Sequence, residues 1–255
     1  MPYLSNLYYQ AYQPDDLSRK ALILIHGAGG DHLSWPSQLR RLCGYRVYTP
    51  DLPGHGKSKG HGFQGIESYG AAAATWIQSL ELPKIFLAGH SMGGGIALWL
   101  ATHHPELVRA LVLISTGARL PVNLSLIEEL ATQVGFPTAV DKITSWSFSA
   151  RIEPALVENF KERMLKTRPS VLAGDFRACD SFDLSDRLGE IQVPTLVLVG
   201  DEDKMTPERF AEELAGGIPG AEPGVIPGAG HMLPLEKPEE VVERVRGFLE
   251  RTLES

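Results

Sequence analysis

The stretch Ile85-Phe86-Leu87-Ala88-Gly89-His90-Ser91-Met92-Gly93-Gly94 carries the reading of the fold. An apolar run, Ile85 to Ala88, has the look of a strand buried on both faces, and Gly94 to His103 has the look of a helix. Between them stands Gly89-His90-Ser91-Met92-Gly93, a G-x-S-x-G motif with a strand before it and a helix after it, the context in which the motif carries information. A turn this tight forces the serine into a strained backbone conformation, and side chains two positions to either side would clash, hence Gly89 and Gly93. It lifts the Ser91 hydroxyl clear of the sheet and aims the first free N–H groups of the next helix at whatever sits there. The competing reading, a glycine-rich turn around an inert serine, does not account for both flanks. Ser91 is therefore a candidate nucleophile.

Outward from this turn, further strand-like runs occur at Ala21 to Ile25, Ala110 to Ile114 and Thr195 to Val199, with a weaker one at Arg46 to Thr49 and an additional edge strand at Leu7 to Tyr12. Helix-like segments such as Ser68 to Leu80 alternate with them, which predicts an α/β fold with a mostly parallel central sheet flanked by helices. The interval from Ala110 to Thr195 is far too long for a single crossover helix. The excess, 118–185, holds helix-like stretches at Ser125 to Val134, Thr138 to Phe148, Pro154 to Thr167 and from about Ser170. Trp146, Phe148, Phe160, Phe176 and Phe182 in this region need a surface to bury against. A helical cap inserted in a core formed by 1–117 and 186–255 is the expectation. After Pro238, Val241, Val242, Val245, Phe248 and Leu249 follow helical spacing and predict a packing helix.

A serine hydroxyl needs a base, itself oriented by an acid. Of the eight histidines, His231 in Gly228-Ala229-Gly230-His231 is the one beyond Ser91 that falls in a strand-exit loop. His103 and His104 end the helix after the elbow, where solvation beside the negative end of the helix dipole explains them. The acid should leave the Thr195 to Val199 strand, and Asp201, Glu202 and Asp203 all lie there; position alone does not choose among them. Attack on an ester carbonyl also needs two N–H donors for the developing oxyanion. Met92 can supply one from its backbone, and the loop His26-Gly27-Ala28-Gly29-Gly30 suits the other. That loop matches neither G-x-x-x-x-G-K-[ST] nor G-x-G-x-x-G, which argues against nucleotide binding.

Taken together with Asp51-Leu52-Pro53-Gly54-His55-Gly56-Lys57-Ser58 and Gly200-Asp201-Glu202-Asp203, these motifs resemble, in their order, the α/β-hydrolases of the capped, esterase- and lipase-like kind, from about Leu7 to the C-terminus. The resemblance implies Asp203, four residues before Pro207, as the triad acid, and Ala28 as the second oxyanion donor. It also implies that Asp51 to Ser58 is a structural turn. Haloalkane dehalogenases and epoxide hydrolases of this fold carry aspartate where this chain has Ser91. The C–C bond hydrolases usually carry tryptophan where Met232 stands. The Asp-Leu-Pro-Gly-His-Gly segment is also similar to the lyase of menaquinone synthesis, whose polyanionic substrate needs clustered arginines; Arg119, Arg151, Arg163, Arg168, Arg177 and Arg187 are the candidates in and beside the cap.

Composition bounds the partners. The 255 residues are 43% hydrophobic and 22% charged, ordinary globular usage, with a net charge of −7 that disfavours nucleic acid and anionic membrane surfaces. Two cysteines, Cys43 and Cys179, are too few for a disulfide framework. The opening Met1-Pro2-Tyr3-Leu4-Ser5-Asn6 has neither a basic nor a long apolar region, so no signal peptide and a cytoplasmic setting are expected. The reading is a cofactor-independent serine esterase, without a metal, for neutral and fairly apolar small-molecule esters, as a monomer or homodimer. Trp146 and Phe148 are expected to line the acyl pocket. The alternatives are a lyase or C–C bond hydrolase using the same triad, or a non-enzymatic ligand receptor.

Overall fold

A computed structural model describes residues 3–16 and 18–254; Met1 and Pro2, on which part of the signal-peptide reading rests, lie outside them. Eight strands form one sheet: β1 (Tyr3–Leu4), β2 (Leu7–Tyr12), β3 (Lys20–Ile25), β4 (Tyr45–Pro50), β5 (Ile85–His90), β6 (Val108–Ile114), β7 (Thr195–Gly200) and β8 (Glu222–Ile226). Their spatial order is β1-β2-β4-β3-β5-β6-β7-β8. The β1/β2 and β2/β4 pairs are antiparallel and the remaining pairs are parallel. After β4 the chain crosses back over β3 to lay down β5, so the order reverses between β3 and β5. Their carboxyl ends lie side by side, with Ile25 opposite Gly89 in register. That reversal is where open parallel sheets place their ligands, and it sets the loop after β3 beside the Ser91 elbow.

The described residues hold ten α-helices: α1 (Ser37–Arg40), α2 (Ile66–Ser79), α3 (Met92–His103), α4 (Leu124–Leu130), α5 (Phe136–Ser147), α6 (Pro154–Leu165), α7 (Pro169–Asp180), α8 (Glu208–Gly217), α9 (Leu233–Glu236) and α10 (Pro238–Glu254). The continuous apolar runs of β3, β5, β6 and β7 are explained by a core on each face. On one, Ile23, Ile25, Leu87 and Leu111 pack with Tyr69, Trp76, Ile96 and Leu214 of α2, α3 and α8. On the other, Leu22, Leu24, Phe86 and Val112 pack with Leu39 of α1 and with Val241, Val245, Phe248 and Leu249 of α10. The helical spacing after Pro238 is thus the buried stripe of α10. No helix among the described residues is long and apolar enough to cross a membrane. Cys43 is exposed and Cys179 buried, and both are free thiols.

Two strands escaped the sequence. β8, Glu222-Pro-Gly-Val-Ile, is an edge strand exposed along most of its length, where proline and glycine are tolerated and an apolar run is not needed. β1 is two residues long and lies outside β2, so Leu7–Tyr12 is not the edge.

Between β6 and β7, α4 to α7 leave the layers and bury an apolar cluster of their own, including Leu130, Phe136, Val140, Ile143, Met164 and Phe176. The two ends of this excursion are pinned together where Leu184 N–H donates to the Ala118 carbonyl at 2.8 Å and the backbone of Arg119 pairs with that of Asp183 in a single antiparallel β-bridge. The first helix ends at Leu130 rather than Val134, which is 91% exposed in the turn before Gly135.

Candidate active site

Ser91 sits between β5 and α3 at φ 54°, ψ −122°, the strained geometry expected of the elbow. The glycines around it are required by close approach. A Cβ on Gly89 would lie 2.2 Å from the Gly93 carbonyl oxygen, and one on Gly93 would lie 2.2 Å from that of Ile25. The turn is held by Ser91 N–H donating to the Ile114 carbonyl at 3.0 Å and by Thr116 Oγ1 donating to the Ser91 carbonyl at 2.8 Å.

His231 reaches Ser91 from the loop between β8 and α9, with Nε2 2.9 Å from Oγ. Its Nδ1 lies 3.0 Å from Asp203 Oδ2 and 3.2 Å from Oδ1. A proton on Nδ1 therefore faces a carboxylate, which leaves Nε2 free to accept the serine hydroxyl proton. Asp203 is buried and also accepts from Met205 N–H and Thr206 N–H at 2.9 Å and from Thr206 Oγ1 at 2.8 Å. Burial alone would raise its carboxyl pKa; the facing His231 and the hydrogen bonds from His231 and Thr206 outweigh that and hold it below the ordinary value.

The three carboxylates that sequence position left undivided now separate. Asp201 is exposed and accepts Gly228 N–H at 2.7 Å, Glu202 accepts Ala150 N–H at 3.1 Å, and Asp203 alone meets the imidazole.

In the loop after β3, Gly29 N–H donates to Asp175 Oδ2 at 2.9 Å and Gly30 N–H to the Gly27 carbonyl at 3.1 Å. Those two donors are spent, and Ala28, which lines the cavity beside Ser91, is the residue of that turn placed to offer its N–H. Met92 opens α3, where the first N–H groups have no intrahelical acceptor.

Ser91, His231 and Ala28 form one wall of a cavity of about 190 Å³ whose remaining lining is mainly apolar, with Leu120, Ile143, Leu156, Phe160, Phe176 and Met205 among the contributors. Trp146 and Phe148 correct the expectation from aromatic content, because neither lines it. The buried stripe of α5 runs through Val140, Ile143 and Ser147; Trp146 falls at its margin and is 40% exposed. Phe148 is buried edge-on against Phe160, centroids 5.3 Å apart, and so stands behind the ring that does reach the cavity. Of the six arginines, Arg163 alone lines the cavity, and it is paired with Asp31.

Other site residues carried little signal in the sequence. Glu236 Oε2 accepts both Gly230 N–H at 3.1 Å and Ser149 N–H at 3.0 Å, tying the His231 loop to the insertion. Met232 N–H donates to the Ser147 carbonyl at 2.9 Å in the same seam. Thr206 had a faint signature as a hydroxyl three residues beyond a candidate acid. The Asp51 to Ser58 segment is a turn folded on a buried carboxylate. Asp51 accepts from His32 N–H, His32 Nδ1 and Lys57 N–H. Asp31, His32 and Asp51 bring three potential ligand atoms within 4.8 Å, and two of them, His32 Nδ1 and Asp51 Oδ1, face each other at 2.8 Å.

Two buried histidines here bear on stability. His90 Nε2–H donates to the His231 carbonyl at 2.8 Å, and burial, with His231 nearby, pushes its pKa down to about 3. His26 accepts Leu52 N–H on Nε2 at 3.0 Å, and burial, with His55 nearby, pushes it down to about 4. Both stay neutral when folded yet charge on unfolding below the ordinary histidine pKa of 6.5. Their contribution is complete above that pH and is lost as the pH falls toward the folded values, by up to about 1.4 kcal/mol per pH unit for each. The unfolding free energy should therefore decline steadily from pH 6.5 to 4, and His90→Gln should flatten that slope. A level profile over this range in urea titrations would contradict the assignment.

The chain is also similar to known proteins in sequence and in fold. The chain is 30% identical over 249 residues to the dihydrolipoyllysine-residue acetyltransferase component of the acetoin cleaving system of Pseudomonas putida, covering 90% of this chain and 63% of that longer protein. Its structure is similar to that of the enol-lactonase from Burkholderia xenovorans LB400, with a TM-score of 0.90, 25% identity and 96% of each chain covered. It is also similar to a thermophilic esterase from Thermogutta terrifontis, with a TM-score of 0.86, 30% identity, and 96% and 93% of the two chains covered. The model of the alpha/beta hydrolase fold matches residues 20–238, the span that holds the elbow, the acid loop and His231, and the chain belongs to that family.

Proposed function

We propose that the protein is a cofactor-independent serine carboxylesterase acting on neutral, fairly apolar small-molecule esters. The observation that carries this is the hydrogen-bonded line Ser91 Oγ, His231 Nε2, His231 Nδ1, Asp203 opening into an apolar cavity. Ser91 Oγ attacks the ester carbonyl while His231 Nε2 takes its proton. The carbonyl oxygen becomes an oxyanion facing the Ala28 and Met92 N–H groups. Collapse expels the alcohol, which receives the proton back from His231, and leaves an acyl group on Ser91. Water, deprotonated by the same imidazole, then releases the acid. Asp203 holds the imidazole in the tautomer both halves require. Every role is filled by a group of the chain itself. Similarity to an esterase and to an enol-lactonase, whose substrate is by name a cyclic ester, supports the ester class.

The arginines favour a neutral substrate over the polyanion of the lyase reading. Arg119 pairs with Glu213 and Arg187 with Glu190, Arg168 donates to the Gly54 and Gly60 carbonyls, and Arg151 and Arg177 are exposed. The cavity thus receives one cation, already neutralised by Asp31. A panel of nitrophenyl esters from acetate to decanoate, run beside esters bearing a second carboxylate, tests the reading. Turnover of the neutral series with slow turnover of the anionic ones is expected. Folded protein that hydrolyses none of them would overturn it.

We further propose that the insertion acts as a cap that sets chain-length preference, with Phe160 rather than Trp146 as the side chain that matters. α6 buries only Met164 of its own residues, while Leu156, Phe160 and Arg163 turn toward the cavity. Phe160→Ala should shift preference toward longer acyl chains by roughly tenfold, the scale of a missing apolar contact in a substrate pocket, with kcat on the acetate nearly unchanged. Trp146→Ala should leave the preference alone. Equal loss on every ester in Phe160→Ala would indicate packing of the insertion instead.

A further inference from the structure

Asp175 belongs to α7, in the insertion, yet its carboxylate is completely buried against the core at the base of the loop that follows β3. Three groups from three separate segments converge on it. Tyr69 OH donates to Oδ1 at 2.6 Å, His55 Nε2 lies 2.7 Å from Oδ2, and Gly29 N–H donates to the same Oδ2 at 2.9 Å. The other end of Gly29 is held from the insertion too, since Thr167 Oγ1 donates to its carbonyl at 3.1 Å. Gly29 itself has φ +65°, and a Cβ there would lie 2.8 Å from Leu172 Cδ1 of α7, so the loop is pressed against this helix. Gly29 is the residue after Ala28.

A buried carboxylate is costly unless it is paired and hydrogen-bonded, and a bare negative charge beside a developing oxyanion would oppose it. His55 answers both demands. Its Nδ1 lies 3.1 Å from the Pro53 carbonyl and its Nε2 faces Asp175, so both ring nitrogens meet acceptors and the imidazolium satisfies both. Burial would lower the His55 pKa, and the Asp175 charge and hydrogen bond outweigh that and raise it. The pair presents the loop with a strong, geometrically fixed acceptor and little net charge.

We propose that Asp175 is a positioning residue for the oxyanion hole: with Thr167 it clamps both polar groups of Gly29, so that the Ala28 N–H is aimed at the reacting carbonyl only while the insertion is seated on the core. The inference rests on the serine-hydrolase reading for the role of Ala28. It makes the insertion part of the catalytic geometry, in addition to its part in the cavity wall. Because Asp175 and Thr167 flank the Gly29 peptide and do not line the cavity, their loss should be read in the chemical step and not in ground-state ester binding.

The test is the rate at which a fluorophosphonate labels Ser91, followed by intact mass. Serine attack displaces fluoride at phosphorus and places negative charge on the phosphoryl oxygen, so it needs the nucleophile and the oxyanion donors whatever the natural ester is. The variants are Asp175→Asn, Asp175→Ala and Thr167→Val, each with its melting temperature recorded. Thr167→Val weakens the same clamp without opening a buried charge and serves if the Asp175 variants fold poorly. A misaimed oxyanion donor should cost somewhat less than a removed one, which costs about 10²–10³-fold. Labelling and kcat should therefore fall together by about 10- to 100-fold in the Asp175 variants and by about 3- to 10-fold in Thr167→Val, with KM within about threefold of the parent. A trifluoromethyl ketone, which forms an oxyanion on Ser91, should lose affinity by the same factor. Unchanged labelling in folded Asp175→Asn and Thr167→Val, or a rise in KM without a fall in kcat, overturns the inference while leaving the triad standing. A parent protein that takes no label removes the nucleophile, and both readings with it.

Discussion

Ser91→Ala is expected to lower kcat on any ester by about 10⁶-fold, the scale seen when the nucleophile of an assembled serine triad is deleted. The loss is that large because the hydroxyl is the group that forms and breaks the bond, while His231 and Asp203 act only through it. The substitution removes one atom at a half-buried position on the cavity wall and leaves the elbow's packing glycines in place. The melting temperature should therefore change by no more than a few degrees, on the destabilising or the stabilising side. Ester binding should survive, since the apolar wall is untouched. A variant that retains more than a small percentage of activity in a preparation free of parent enzyme would place the nucleophile elsewhere.

Asp203→Asn should reduce kcat by on the order of 10²- to 10⁴-fold with little change in KM. The carboxylate accepts four hydrogen bonds, from His231 Nδ1, Met205 N–H, Thr206 N–H and Thr206 Oγ1. An amide can accept through one oxygen only, and Oδ1 is already held by two backbone N–H groups. Its NH2 is then turned toward His231, which favours the tautomer with the proton on Nε2, facing Ser91, where it blocks attack. Asp201→Asn, in the same loop with the same change in charge and size, should cost under about tenfold, because its carboxylate serves Gly228 N–H in an exposed turn. Greater damage from Asp201→Asn would reverse the assignment of the acid.

The elbow was legible from sequence because its chemistry is local. A strand, two glycines that backbone approach makes obligatory, and a helix all lie within twenty residues of Ser91. His231 was legible for a related reason: its glycine-rich loop answers to contacts that leave no room for a Cβ, with Gly230 against Ser149 N. The acid was less so. Three adjacent carboxylates share one loop, and only the fold decides which faces the imidazole; the family resemblance supplied that choice before the structure did.

What the sequence could not carry depends on long-range contact. Aromatic character points to Trp146 and Phe148, yet which side chains of α5 and its C-terminal end meet the cavity depends on how α5 packs against α4 and α6. Phe160 of α6, against which Phe148 packs edge-on, reaches it where they do not. Asp175 meets Gly29 across 146 residues and His55 across 120, so no spacing rule could have paired them. β8 was silent because an exposed edge strand needs no apolar alternation.

If catalysis at Ser91 is covalent, the acyl-enzyme can be trapped. Mixing the protein with excess nitrophenyl butyrate, quenching in acid within the first turnover and measuring the mass of the chain and its peptides should show one butyryl group per chain. That group should map to the peptide containing Ser91, accompany a burst of nitrophenol of about one equivalent, and be absent from Ser91→Ala. An acyl group on another side chain, or full turnover by Ser91→Ala, would show that Ser91 is not the nucleophile.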